Sequence, residues 1–201
     1  MKISSLDRTL LLLTGLLAGY QIAIGIDQMD SVSITAYTIA FGVILVAGLL
    51  LIILGFEVLD SPVVVITSTI IPLTLSLGLV WQHLASLRTV YLVFTIISFL
   101  AVILTRAIPI QNKLPVITIA ITHGIAGMII FLLPIILAFQ GQMKPLFALV
   151  GVGGALIGVL GLLLSFLKTG KPILSRDTIM RLFPILLLLT TALFVAGFKY
   201  G

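Results

Sequence analysis

The sequence predicts an all-α integral membrane protein, a bundle of seven transmembrane helices with its N-terminus on the cytoplasmic side and its C-terminus outside. Three observations predict it. Hydrophobic residues make up 61% of the chain and charged residues only 8%, about a third of the ~25% charge of a soluble domain. Mean hydropathy is +1.38. Seven apolar runs are each long enough, at ~1.5 Å per helical residue, to cross a hydrocarbon core of ~30 Å. Lys and Arg also fall unevenly between alternate connections. A chain so poor in charge cannot present a water-compatible surface. A soluble enzyme, a disordered tail and a nucleic-acid binder are therefore excluded.

The runs cover residues 9–26, 33–56, 62–81, 89–105, 114–138, 146–167 and 182–198, forming one polytopic domain over 1–201 with no soluble domain. The first follows a short basic start. No small-x-small cleavage pattern comes after it, so it reads as a retained helix and not a signal peptide. The second holds Gly42, Gly48 and Gly55, and the third has five hydroxyl residues around Pro72. The fourth lies between Arg88 and Arg106, and the fifth contains Thr118, Thr122 and His123. The second and fifth, being long, should tilt or kink. The sixth is Gly-rich, and Pro184 lies in the seventh.

With the N-terminus inside, inner segments carry Lys2, Arg8, Arg106, Lys113, Lys168, Lys171, Arg176 and Arg181, against Arg88, Lys144 and Lys199 outside. This asymmetry records topology more than an anionic partner. The basic loop of Lys168, Lys171, Arg176 and Arg181 would face anionic head groups. The membrane is expected to be a cytoplasmic, inner or equivalent energy-transducing one.

No Asp, Glu, Lys or Arg falls in mid-span, which removes the usual mark of proton relays and ion-coupled carriers. Gln21 is the only amide well inside a run. The remaining polarity is hydroxyl and imidazole. Thr67 and Thr74 are seven apart and share a face, as do Thr118 and Thr122 at four apart. With Pro72 and His123 they define a weakly polar seam between the third and fifth helices, suited to a small neutral molecule. Read structurally, the same hydroxyls bond their own i−4 carbonyls. Gly15 and Gly19, and Gly154 and Gly158, form GxxxG pairs that mark close helix packing, or self-association through the same faces.

There are no cysteines, so disulfides, thiolate metal sites and Cys nucleophiles are excluded, and two His cannot build a zinc site. Hydrolase, zinc-protease and P-loop motifs are absent, and no enzyme is expected. A haem shared by His83 and His123 fails on depth, since the residues lie about 20 Å apart along the membrane normal. His83, beside Trp81 and Arg88, reads as part of an interfacial belt. No cofactor is expected; a single-His haem or pigment at His123 is the residual alternative.

Short matches relate the first three helices to the last three: residues 14–19 with 122–127, 48–51 with 161–164, and Pro72 with Pro184. The implied parallel repeat is three helices, a linker helix and three more. In architecture alone it is similar to the SWEET and PQ-loop transporters. The chain contains no Pro-Gln pair, so that family's hinge motif is absent and none of its functional residues carry over. A rhodopsin is excluded because the last run has no mid-span Lys.

The leading functional expectation is a non-catalytic accessory or structural subunit of a larger, possibly energy-transducing, membrane complex. The alternative is a carrier or channel for a small neutral or lipophilic solute. The second alternative is pigment or haem binding through His123. The expected partners are the lipid bilayer and other membrane subunits or a second copy, and no nucleic acid.

Overall fold

A computed structural model describes residues 3–26, 29–108, 110, 112–168, 170 and 172–201. Among them there are no strands. The α-helices are α1 Ser5–Ile24, α2 Ser31–Leu54, α3 Pro62–His83, α4 Arg88–Ala107, α5 Leu114–Phe139, α6 Ala148–Lys168 and α7 Arg176–Tyr200. Short 3-10 turns precede α3, α4 and α6. Six of the helices are long and apolar enough to cross a membrane. The other is α1, whose 20 residues include Asp7, Arg8 and Gln21. The apolar helices make this a polytopic membrane protein.

Local chemistry explains the helix ends. At the start of α1, Ser4 and Asp7 form a capping box, with the Asp7 N–H donating to Ser4 Oγ at 3.1 Å and the Ser4 N–H to Asp7 Oδ2 at 2.9 Å. This cap begins α1 four residues before the expected start at residue 9. Gly25 at φ 66° and Gly55 at φ 82° end α1 and α2 in the left-handed region, where a side chain would strain the backbone. The largest boundary correction is in α7. Ser175 caps it, accepting from the Thr178 N–H at 3.2 Å, so Arg176 and Arg181 lie in its first two turns and not in a loop. Hydropathy alone misses these turns because polar residues on a helix end extend into the head-group layer. Lys171 and the side chain of Lys168 lie outside the described residues.

Six helices close a ring by contact in the order α1, α2, α3, α5, α6, α7, with α7 returning to α1. The remaining helix, α4, packs outside that ring against α3 and α5. Successive helices alternate direction. One end of the bundle, here the N-side, holds the start of α1, α3, α5 and α7; the opposite C-side holds their ends. The C-side interior is one core drawn from all six ring helices, with Tyr37, Phe41, Leu75, Leu79, Ile130, Val150, Phe194 and Phe198 buried. The N-side core draws on α1, α2, α6, α7 and the turn at Phe56, without residues of α3 or α5.

Glycines set the closest approaches. A Cβ at Gly78 would lie 2.6 Å from the Tyr37 ring. One at Gly151 would lie 2.5 Å from the Phe131 carbonyl, one at Gly153 2.9 Å from the Phe194 ring, and one at Gly197 2.6 Å from Val150. The two GxxxG pairs divide. A Cβ at Gly15 would lie 3.4 Å from Leu45 and one at Gly154 2.7 Å from Ile130, whereas a Cβ at Gly19 or Gly158 meets nothing within 4 Å. Only the first glycine of each pair is therefore in a helix contact.

Candidate functional site

The hydroxyls of α3 are bonded within their own helix. Thr67 Oγ1 donates to the Val63 carbonyl at 2.9 Å, Thr69 to Val65 at 2.7 Å, Thr74 to Ile70 at 2.8 Å and Ser76 to Pro72 at 2.6 Å. This back-bonding satisfies the donors in an apolar medium. What each hydroxyl offers outward is then an acceptor lone pair. His123 behaves in the same way. Its Nδ1 lies 3.2 Å from the Ile119 carbonyl. A carbonyl only accepts, so Nδ1 carries the ring proton and Nε2 keeps a lone pair. Thr122 is buried and Thr118 half-buried. No hydrogen bond among the described residues joins Thr67 or Thr74 to Thr118, Thr122 or His123.

Helix register does bring the two sets to one depth. Ile129 packs against the cluster of Leu77, Val80 and Tyr91. His123 lies six residues nearer the N-side on α5, and Pro72 five residues nearer it than Leu77 on α3. The two therefore sit about 8–9 Å below that cluster, with Thr67 and Thr118 deeper toward the N-side.

Packing around this region changes at Pro72. Between Leu73 and Val80 every residue except Thr74 is buried; between Pro62 and Pro72 only Thr69 is. On α5, Thr122 is the only buried residue between Leu114 and Ile125. Proline frees the carbonyl four residues earlier and removes one helix bond. Pro72 thus divides a packed C-side half of α3 from a loosely packed N-side half that carries Thr67 and Ser68.

The C-side is closed by aromatic rings. Phe198 lies 4.6 Å from Tyr37 and 6.2 Å from both Phe41 and Phe147, and Phe147 lies 5.4 Å from the His83 ring. His83, the last residue of α3, is therefore packed on this cluster, and Arg88 and Trp81 pair at the same end, with the guanidinium 5.6 Å from the ring centre. Around the cluster several buried polar atoms lack a partner: Gln21 Oε1, Tyr37 Oη and His83 Nε2, with Thr190 Oγ1 deeper in α7. Of these, sequence reasoning singled out only Gln21 as unusual. The spacing of Tyr37 with Phe41 and of Phe194 with Phe198, four apart on inward faces, was the available signal for the cluster.

Two side-chain contacts tie helices together near this level. Tyr91 Oη donates to Ser76 Oγ at 2.8 Å, fixing α4 to α3. Ser33 Oγ donates to the Gly78 carbonyl at 3.3 Å, fixing α2 to α3. At the C-side surface Asp30 caps α2, accepting from the Val32 and Ser33 N–H groups at 2.9 and 3.0 Å. Burial acts to raise its pKa. The hydrogen bonds from Ser33 and Val32 and the Arg88 charge outweigh burial and hold it below the usual carboxylate value. No group of three or more potential metal ligands occurs among the described residues.

The fold and these contacts define the class, a polytopic helical membrane protein. The chain matches no known protein family, no curated protein and no solved structure.

Proposed function

We propose that the protein is a non-catalytic carrier for a small neutral or lipophilic solute, held with its C-side closed and its N-side half loosened between α3 and α5. The observation that carries this reading is the change of packing at Pro72, with a solid aromatic-capped core on one side and sparsely buried helix carrying Thr67, Thr118 and His123 on the other. The seam offers acceptors and no charge, which suits a solute with O–H or N–H groups.

Ring order supports the same reading. A half-turn about the ring axis exchanges α1, α2 and α3 with α5, α6 and α7, matching each contact of one half to its counterpart, including α3·α5 to α7·α1. Pro72 and Pro184 then fall on equivalent helices. In this reading α1 is the seventh span, α4 links two parallel three-helix repeats, and the basic excess makes the N-side cytoplasmic. His123 lines the path and holds no haem or pigment, which a flat visible spectrum of protein purified from native membranes checks.

The chain has no cysteine, so single-Cys probing is clean. Thr67→Cys and Thr118→Cys should react with a membrane-impermeant maleimide from the N-side, and Leu79→Cys from neither side. If the two seam positions resist labelling as fully as Leu79→Cys, the path is absent and the reading fails. In proteoliposomes, His123→Ala and Thr122→Val should reduce uptake of small neutral solutes while leaving the fold intact.

A second reading, an accessory subunit of a larger complex, is supported by α4. It lies outside the ring and exposes Val90, Val93, Ile97, Leu100 and Leu104. Native mass spectrometry of a mild-detergent extract separates the two readings. Co-purifying polypeptides favour the subunit, and a lone chain or homo-oligomer favours the carrier.

A further inference from the structure

The contact between α1 and α2 leaves an outward-facing groove of about 410 Å³, lined by Leu12, Leu16, Gly19, Ala23, Leu45 and Leu49 and bordered by Tyr20. It lies on the lipid-facing side of the ring, away from the seam and the aromatic cluster. From Leu12 to Ala23 it runs eleven residues, about 17 Å along α1. Its lining is almost wholly apolar. Gly15 and Gly19 create the space, and a Cβ at Gly19 would touch nothing.

One end of the groove is charged. Lys199, in the last turn of α7, donates to the Tyr20 hydroxyl, and its Nζ lies 5.1 Å from the Tyr20 ring centre and 5.5 Å from that of Tyr200. Among the described residues, no acidic side chain is bonded to it. An ammonium held by two phenol rings at the C-side end of an apolar channel complements an anion attached to a hydrocarbon tail.

We infer that this groove is a binding site for an anionic phospholipid, with one acyl chain between α1 and α2 and the phosphate at Lys199. The pairing sets the lipid's depth through the phosphate and its lateral position through the chain. It also extends the α1–α7 contact, because the lysine comes from one helix and the groove from the other. The site does not depend on the transport reading, since none of its residues belongs to the seam.

The test uses the full chain in mild detergent, titrated with phosphatidylglycerol or phosphatidylcholine of the same acyl length and read by native mass spectrometry. Phosphatidylglycerol should be retained more strongly than phosphatidylcholine. Lys199→Gln should lower its retention about fivefold, the value of one cation near an anionic surface, and so remove most of its preference over phosphatidylcholine, whose phosphate is balanced by its own choline. Gly19→Leu, whose Cβ would meet nothing within 4 Å, places a branched side chain in the groove and should remove retention of both lipids. Equal retention of the two lipids by the wild-type chain would overturn the selection of an anionic head group, and with it the inference. Unchanged retention in Gly19→Leu would overturn the groove as the chain site. A shift to dimer mass that Gly19→Leu abolishes would instead make the groove an interface between copies and would likewise overturn the inference. Seam variants such as His123→Ala should leave lipid retention untouched, so failure here and failure of the carrier reading are separable.

Discussion

Gly78→Ala and Gly19→Ala are the same chemical change in two helix interiors, and the structure assigns them opposite signs. Removing a glycine from a helix gains up to about 1 kcal/mol of intrinsic propensity. At Gly19 the added methyl meets nothing within 4 Å, so the expected change is between zero and that gain. At Gly78 the methyl would sit 2.6 Å from both Cε1 and Cζ of Tyr37. The ring cannot swing away, because Tyr37 is 2% exposed and Phe198 lies 4.6 Å from it. Overpacking of this kind costs about 1–3 kcal/mol, leaving a net change between about zero and a loss of about 2 kcal/mol after the propensity gain. The propensity gain is common to both, so the two variants should differ by the overpacking cost of about 1–3 kcal/mol. The assay is an SDS titration of the folded chain in mild detergent. Its readout is fluorescence of Trp81, the chain's one tryptophan, three residues beyond Gly78 on α3. In a Tyr37→Ala background the Gly78→Ala penalty should vanish, a coupling of about 2 kcal/mol. Equal effects at the two glycines, or a Gly78 penalty that survives Tyr37→Ala, would refute the reasoning.

Other consequences follow from single contacts. Tyr91→Phe removes the bond between α4 and α3 but leaves Ser76 bonded to the Pro72 carbonyl, so the loss should be about 0.6 kcal/mol and no more than about 1.7, read in the same SDS titration. Asp30 has its folded-state pKa below the ordinary value. Its contribution is thus complete above the unfolded-state pKa and is lost as pH falls through the lowered folded one; Asp30→Asn, which keeps the capping oxygen, should flatten the acid limb of a thermal-stability profile. A reporter fused after Gly201 should be active only on the side opposite the N-terminus, and activity on the same side would remove the odd number of spans. Gly151→Leu, placed against the Phe131 carbonyl, should abolish folded protein in a detergent chromatography profile, whereas Gly158→Leu should not.

The membrane class and the positions of the spans were legible because both depend on summed hydropathy, a property of composition. The ends were less so. The first two turns of α7 carry Asp177, Arg176 and Arg181, and an apolar window stops where they begin, although Ser175 announces a cap. The glycine motifs show a deeper limit. GxxxG spacing puts two small residues on one face, but it does not say whether a neighbour lies along that face for two turns or one. Gly15 and Gly154 meet a helix, while Gly19 and Gly158 face away. Gly151 and Gly153, which match no such pair, carry α5–α6 and α6–α7 contacts, and Gly197 carries another between α6 and α7. The back-bonded hydroxyls were foreseen as one reading of the seam; the loss of packing below Pro72 was not, because it depends on which helices surround α3.

The unpartnered polar atoms of the C-side bear on how such a bundle would move. A buried polar group without a partner costs about 1–3 kcal/mol, and Gln21, Tyr37, His83 and Thr190 each hold one. They belong to α1, α2, α3 and α7, and those of Tyr37 and His83 adjoin the Phe147–Phe198 ring pair that closes this end. A tightly packed static core would gain by replacing them with apolar side chains of the same shape. Their presence makes the closed arrangement less stable than its apolar contacts alone would. Opening the C-side would hydrate all three groups near the surface at once, offsetting part of the cost of separating the rings. Tyr37→Phe removes one such group at nearly constant volume, so it should stabilise the folded chain while slowing any transport cycle that requires the C-side to open. A destabilised Tyr37→Phe would show that this oxygen is satisfied in the membrane, and a stabilised one with unchanged uptake would show that it plays no part in gating.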